Sequence, residues 1–157
     1  MKFADFLCFD AVIPELEATD RDDVIIELMT ALDKCGKLGR GKRKELYKAV
    51  IKRENEASTG MGKGVAVPHV KHPRVKNIMV TVGQSSSGID FSSLDKLPVY
   101  SVILMLSPVD DPDKHLQAME RIFKHLQNET FRKFLRQAQS AKAIEELFRE
   151  ADDNVFL

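Results

Sequence analysis

The run Val99-Tyr-Ser-Val-Ile-Leu-Met-Leu106 is almost wholly apolar. A stretch this short and this apolar reads as a strand buried on both faces, because a half-exposed strand would alternate. Such a strand needs a covering layer on each side. The rest of the chain supplies candidates, since short apolar strands interleave with helical patterns of about 12 to 16 residues. The expected fold is α/β: a single-domain sandwich with a mixed central β-sheet and helices on both faces.

Residues 1–18 hold short apolar groups, Phe3, Phe6, Leu7, Phe9 and then Val12, Ile13 and Leu16, interrupted by Pro14. They read as a helical turn and an edge strand. Thr19 or Asp20 caps a helix through Cys35, with Val24, Ile25, Leu28 and Leu32 at helical spacing and Gly36 as its stop. A basic loop from Lys37 to Lys44 follows and reads as a solvated connection. A second helix covers about 42–57, with Leu46, Tyr47, Val50 and Ile51 inward.

Beyond residue 70, Lys71, His72 and Pro73 form a polar turn. Ile78, Val80 and Val82 alternate as a half-buried strand. Gly83 to Gly88 reads as a serine-rich loop, followed by a brief extended piece, Ile89-Asp90-Phe91. Asp111 caps a third helix with Pro112 at its first position, and Met119, Ile122, Phe123 and Leu126 make its inward stripe. Two short helices start at Asn128 and Ser140. The tail 152–157 shows no partner pattern.

With 157 residues, 43% hydrophobic and 31% charged, the composition is that of an ordinary globular domain. Lysine plus arginine equal aspartate plus glutamate at 24 each, so the global basic excess of a dedicated nucleic-acid binder is missing. No apolar run approaches the ~20 residues that span a bilayer. The acidic interruptions of the first ten residues do not read as a signal peptide. Cys8 and Cys35 lack partner motifs and read as reduced thiols of a cytosolic protein, a bridge between the two being the alternative.

Chemistry concentrates in residues 53–70, where a charged helix end meets a glycine-punctuated loop (Ser58, Thr59, Gly60, Gly62, Gly64) and then Val65-Ala66-Val67-Pro68-His69. Proline cannot donate to a ladder, so Pro68 marks a strand end, and alternation puts His69 on the face of Val65 and Val67. A strand-end histidine can be reactive or merely hydrogen-bonded. Arg53, near the helix C-terminus, can serve the helix dipole or face the loop. At about 100° per residue, His115 falls on the inward face of the third helix in its first turn. There it is either a donor at an anion-favouring terminus or a core-edge histidine.

The pattern Arg53-Glu-x-x-x-Ser-Thr-Gly-x-Gly-x-Gly-Val-Ala-Val-Pro-His69 resembles the signature of phosphotransferase-system IIA domains of the fructose/mannitol/nitrogen-regulatory type. The likeness continues through Gly88-Ile-Asp-Phe91, Leu94-Asp95, Leu97-Pro-Val99, Leu106-Ser-Pro108 and His115-Leu116. It implies one IIA type-2 domain over 1–157, with a motif core at about 50–140, and the same sandwich fold. It implies that His69 accepts a phosphoryl group from a histidine phosphocarrier protein of the HPr type. The group then passes to a IIB cysteine or serves as a regulatory signal. By the same resemblance Arg53 stabilises charge and His115 is a supporting donor. Ser58, Thr59, Gly60 and Gly62 line the phosphate. No cofactor, metal, nucleic acid or membrane insertion is implied. Two positions depart from the pattern: Val70 stands where glycine is common, and Lys63 where the loop often reads Gly-Asn-Gly.

These residue types suit the chemistry. Imidazole offers a lone pair near pH 7 without an activating base. Phosphoryl transfer asks mainly for positioning and charge stabilisation. No Walker-type Gly-Lys-Ser/Thr occurs, so nucleotide cleavage is not expected. A zinc site from His69, His72 and His115 lacks ligand spacing, and Asp110, Asp111 and Asp113 read as helix-start residues rather than a metal cluster. The main rival is an interaction module that has lost phosphorylation. Between outputs, Leu135-Arg-Gln-Ala-Gln-Ser140 is closer to the nitrogen-regulatory branch than to sugar uptake.

Overall fold

The computed structural model describes residues 1–154 and Phe156. Its centre is the predicted apolar strand. Here β1 is Gly60–Gly62, β2 Val65–Ala66, β3 His69–His72, β4 Met79–Ile89 and β5 Val99–Pro108. On one flank β5 pairs in parallel with β2 and β3, and on the other antiparallel with β4, while β1 adds antiparallel to β2. The sheet is mixed, as expected.

Five helices cover it: α1 (Arg21–Lys34), α2 (Arg43–Glu56), α3 (Pro112–Leu126), α4 (Glu129–Gln137) and α5 (Ala141–Asp152). Alternation along β5 sorts the layers. Val102, Leu104 and Leu106 pack with α1 and α2 through Val24, Leu28, Leu46 and Val50. Ile103 and Met105 pack with α3, α4 and α5 through Ile122, Phe131 and Phe148. Asp20, one of the two expected candidates, and Asp111 cap their helices, and so do Asn128 and Ser140, where the last two helices start: each accepts a bond from the amide three residues on.

Three expectations change. Pro68 does not stop the strand: after a gap of Val67 and Pro68 the chain resumes as β3, with Val65 opposite Ser101 and His69 opposite Met105. Proline withholds one donor, but the Pro68 carbonyl still accepts from the Met105 amide at 3.0 Å and the register is kept. Lys71 and His72 are therefore strand residues. The serine-rich segment 83–88 is not a loop either. β4 runs through it to Ile89: Gly83 and Gln84 pair with Val102 and Ser101 of β5, Ile89 pairs with Val99, and a register shift lies between, so β5 holds the segment at both ends.

At the N-terminus the expected turn and edge strand are two 3-10 turns, Phe3–Asp5 and Phe9–Ala11. The segment that carries them joins β4 through isolated bridges, Leu7 to Val80 and Ile13 to Gly83, and through the Leu16 amide, which donates to the Gln84 carbonyl at 2.7 Å. In the tail, Asp152 does have partners: its carboxylate accepts from the Phe3 and Ala4 amides and pairs with Arg121 at 3.2 Å. Val155 and Leu157 lie outside the described residues. Both cysteines are free thiols, and among the described residues no helix is long and apolar enough to cross a membrane.

Candidate functional site

Parity along β3 decides which way His69 points. Val70 is opposite Leu106 and packs with the α1–α2 layer, so His69 turns to the α3 side. His115, in the first turn of α3, meets it there, with ring centroids 5.9 Å apart and planes inclined at 50°. Val70 is extended strand, so the missing family glycine does not strain the backbone here.

Each imidazole is pinned through Nδ1. The His69 Nδ1 lies 2.8 Å from the Val67 carbonyl oxygen. A carbonyl can only accept, so Nδ1 carries the proton and Nε2 keeps its lone pair. The Val67 carbonyl is available because Val67 faces β1 through its amide, which donates to the Thr59 carbonyl at 3.3 Å, while β1 itself begins only at Gly60. His115 Nδ1 lies 2.8 Å from the hydroxyl of buried Ser107.

Burial holds the His69 imidazole below its ordinary pKa. Its bond to Val67 and the Glu54 carboxylate raise it again, and the Arg53 and Lys71 cations push it down. Burial lowers His115 too, with His69 and Lys71 adding to the effect. Both rings are therefore neutral near pH 7.

Arg53 occupies the last turn of α2. One guanidinium nitrogen, Nη1, donates to the Ala57 carbonyl at 2.9 Å, closing the helix end. The Ser58 hydroxyl donates to the Phe91 carbonyl and accepts from the Gly60 amide. Thr59 gives both its amide and its hydroxyl to Glu54, each at 2.6 Å. The hydroxyl protons at 58 and 59 are thus engaged inside the loop. Gly60 and Gly62 stand opposite Ala66 and Val65, upstream of His69. At Gly60 a Cβ would lie 2.2 Å from the Ser93 hydroxyl oxygen, so packing alone demands glycine there. Lys63, where the family often has asparagine, sits at φ 61° between Gly62 and Gly64, which also have positive φ.

His72 leaves the pair and turns toward Glu45 at 3.5 Å. Among the described residues no three His, Cys, Asp or Glu side chains converge as a metal site would need. Three residues were not anticipated. Glu54 continues the buried stripe Leu46, Val50 at i+4, Lys71 shares the His69 face at i+2, and Ser107 alternates with Met105 on β5. The first two spacings were visible in the sequence; the Ser107 contact needs the placement of α3.

Residues 6–151 match the family described as phosphoenolpyruvate-dependent sugar phosphotransferase system, EIIA 2. The chain is 34% identical over 152 residues to the PTS system fructose-specific EIIABC component of Bacillus subtilis. That match takes in 97% of this chain and 24% of that protein, so the chain spans about a quarter of that relative's length. It is 31% identical over 144 residues to a nitrogen regulatory protein of Bradyrhizobium diazoefficiens, covering 92% of each. The fold follows that of the nitrogen regulatory protein IIA-Ntr from Neisseria meningitidis, with TM-score 0.84 and 21% identity over 93% of this chain and 98% of that one. The chain therefore belongs to the EIIA 2 family of the phosphoenolpyruvate-dependent sugar phosphotransferase system and is a component of that kind.

Proposed function

We propose that the protein is a phosphocarrier that takes a phosphoryl group on His69 Nε2. The observation that carries this reading is the bond from His69 Nδ1 to the Val67 carbonyl, which leaves Nε2 unprotonated in a ring whose centroid lies 5.9 Å from that of His115. In the reaction the Nε2 lone pair forms a bond to phosphorus of a donor phosphohistidine. The donor's N–P bond breaks, and its electron pair returns to the donor imidazole. Before transfer His69 is neutral; afterwards its ring bears the phosphoryl group, with the Nδ1 proton still held by Val67.

The other groups take supporting roles. The Ser107 hydroxyl can donate to His115 Nδ1, which leaves a proton on His115 Nε2 for a phosphoryl oxygen. Arg53 and Lys71 offset the incoming negative charge, and Arg53 offers the paired donors that suit it. The 58–62 loop acts by shaping the strand that carries His69, its hydroxyls being already engaged. The donor is a histidine phosphocarrier protein of the HPr type, and the chain works as one cytoplasmic domain.

For the output we favour the nitrogen-regulatory role, supported by the near full-length match to a nitrogen regulatory protein. The higher identity to a segment of a fructose-specific component favours the alternative, sugar uptake through a IIB cysteine. Incubation with phosphoenolpyruvate, enzyme I and a phosphocarrier protein tests the reading. It predicts one phosphoryl group per chain, labile in mild acid and stable in alkali. No incorporation with several phosphocarriers would favour an inert interaction module. Adding IIB proteins separates the outputs: drainage of label to a IIB cysteine supports sugar uptake, and retention supports regulation.

A further inference from the structure

We propose that Glu54 is a positioning residue for His69, acting through Thr59 and Val67; the proposal rests on the phosphocarrier reading. Glu54 is only 2% exposed, at the inner end of the α2 stripe. A carboxylate is costly to bury unless its oxygens are hydrogen-bonded, and here one residue takes both. Oε2 accepts the Thr59 amide and Oε1 the Thr59 hydroxyl, each at 2.6 Å. These are short bonds to a charged acceptor, of the stronger kind.

From Thr59 the linkage runs to the reacting ring in two more bonds. The Thr59 carbonyl accepts the Val67 amide at 3.3 Å, and the Val67 carbonyl accepts the His69 Nδ1 proton at 2.8 Å. Thr59 precedes β1, and Val67 falls in the gap between β2 and β3. The chain here is fixed from two sides: the Pro68 carbonyl takes the Met105 amide of β5, and on the opposite side the Val67 amide is held by Thr59. The Val67 carbonyl in turn sets the imidazole tautomer. Loosening Thr59 would let the Nδ1 proton migrate to Nε2, which removes the nucleophilic lone pair.

The chemistry at Glu54 calls for a carboxylate. Two donors converge on it, and only a carboxylate offers two acceptors with no donor of its own. Glutamine could keep both contacts only with the Thr59 hydroxyl turned round to accept, and it loses the charge that makes the two bonds strong. The Glu54 charge also acts directly on the ring, raising the His69 pKa against burial and Arg53.

The test is nitrogen-15 NMR of the histidine rings in the full chain, comparing wild type with Glu54→Gln and Thr59→Val. The resonances of His125, buried in the α3–α5 layer, report the fold. Wild-type His69 should be the Nδ1–H tautomer. Both variants should show a mixture of tautomers with His125 unchanged, and phosphoryl uptake slowed roughly tenfold to a hundredfold at constant KM for the phosphodonor. A pure Nδ1–H tautomer in folded Glu54→Gln, with wild-type uptake, overturns the proposal. Should Glu54→Gln fail to fold, the tautomer in Thr59→Val decides by the same criterion. Because the tautomer is read without any phosphodonor, the two readings fail separately. A wild type that takes no phosphate while the variants shift tautomer defeats the carrier reading alone.

Discussion

The imidazoles of His69 and His115 face each other at 5.9 Å between centroids, and each is anchored through Nδ1, one by a backbone carbonyl and one by a buried hydroxyl. Both Nε2 atoms are therefore the ones left for a shared ligand. The two rings are not equivalent. A carbonyl anchor makes His69 an acceptor at Nε2, whereas a hydroxyl anchor can make His115 a donor.

That asymmetry predicts the behaviour of His115→Ala. The variant should still accept phosphate on His69 but pass it onward more slowly, by about 10²–10³, the usual cost of one charge-stabilising donor. Single-turnover transfer to a cognate acceptor measures it. Onward transfer at the wild-type rate would make His115 a packing residue.

Arg53→Lys should fold normally, because its helix-closing bond to Ala57 needs one donor and lysine can supply it. A lysine lacks the planar fork, so transfer or phospho-dependent binding should drop by roughly tenfold, about 1.4 kcal/mol. In a module that never carries phosphate, the change should stay within about 0.5 kcal/mol on any readout. Thermal melts and transfer rates measured on the same preparation distinguish the two.

The pH dependence has a fixed sign. His69, His115 and His125 all have pKa values lowered in the fold, burial being the leading cause in each. Below about 6.5 the unfolded chain binds protons that the folded chain refuses. The stability these rings contribute is thus complete above that pH and is lost as pH falls toward their folded values. Urea midpoints at pH 7.5 and 5.5 should fall in that order. Phosphoryl uptake, which needs neutral His69, should fall with a midpoint below about 6.5; a midpoint above that would contradict the lowering.

Much of this architecture was legible before any coordinates. Helix caps at Asp20, Asp111, Asn128 and Ser140, and the doubly buried strand β5, follow from local chemistry that tertiary contacts do not override. Segment 83–88 was not, because it is held by β5 from its two ends, at Gly83–Gln84 and at Ile89, rather than by its own residues. The continuation past Pro68 was hidden for a similar reason: one missing donor does not undo a register held on both sides of the gap. At the site, His69, His115 and Arg53 were singled out by the family resemblance, since local pattern left each open between a functional and a structural role. For Glu54 the i+4 spacing from Val50 was visible, but not its role, since a carboxylate at a helix end reads as surface unless a partner such as Thr59 closes over it.

Lys63 offers a check on the loop. At φ 61° an L-residue with a long side chain is strained, and asparagine tolerates that region better. The backbone bond from Lys63 to Asp95 does not depend on the side chain. Lys63→Asn should therefore stabilise the protein by about 0.5–1 kcal/mol, read from urea denaturation. An unchanged or lower midpoint would mean that the lysine side chain compensates for the strain.

The most direct measurement is the position of the phosphate. The protein is charged with phosphoenolpyruvate, enzyme I and a phosphocarrier protein, then mapped by mass spectrometry and by nitrogen-15 NMR of the modified ring. The account predicts a single acid-labile phosphate on Nε2 of His69 and no label in His69→Ala. Phosphate on His72, His115 or His125, attachment through Nδ1 of His69, or continued labelling of His69→Ala would contradict it.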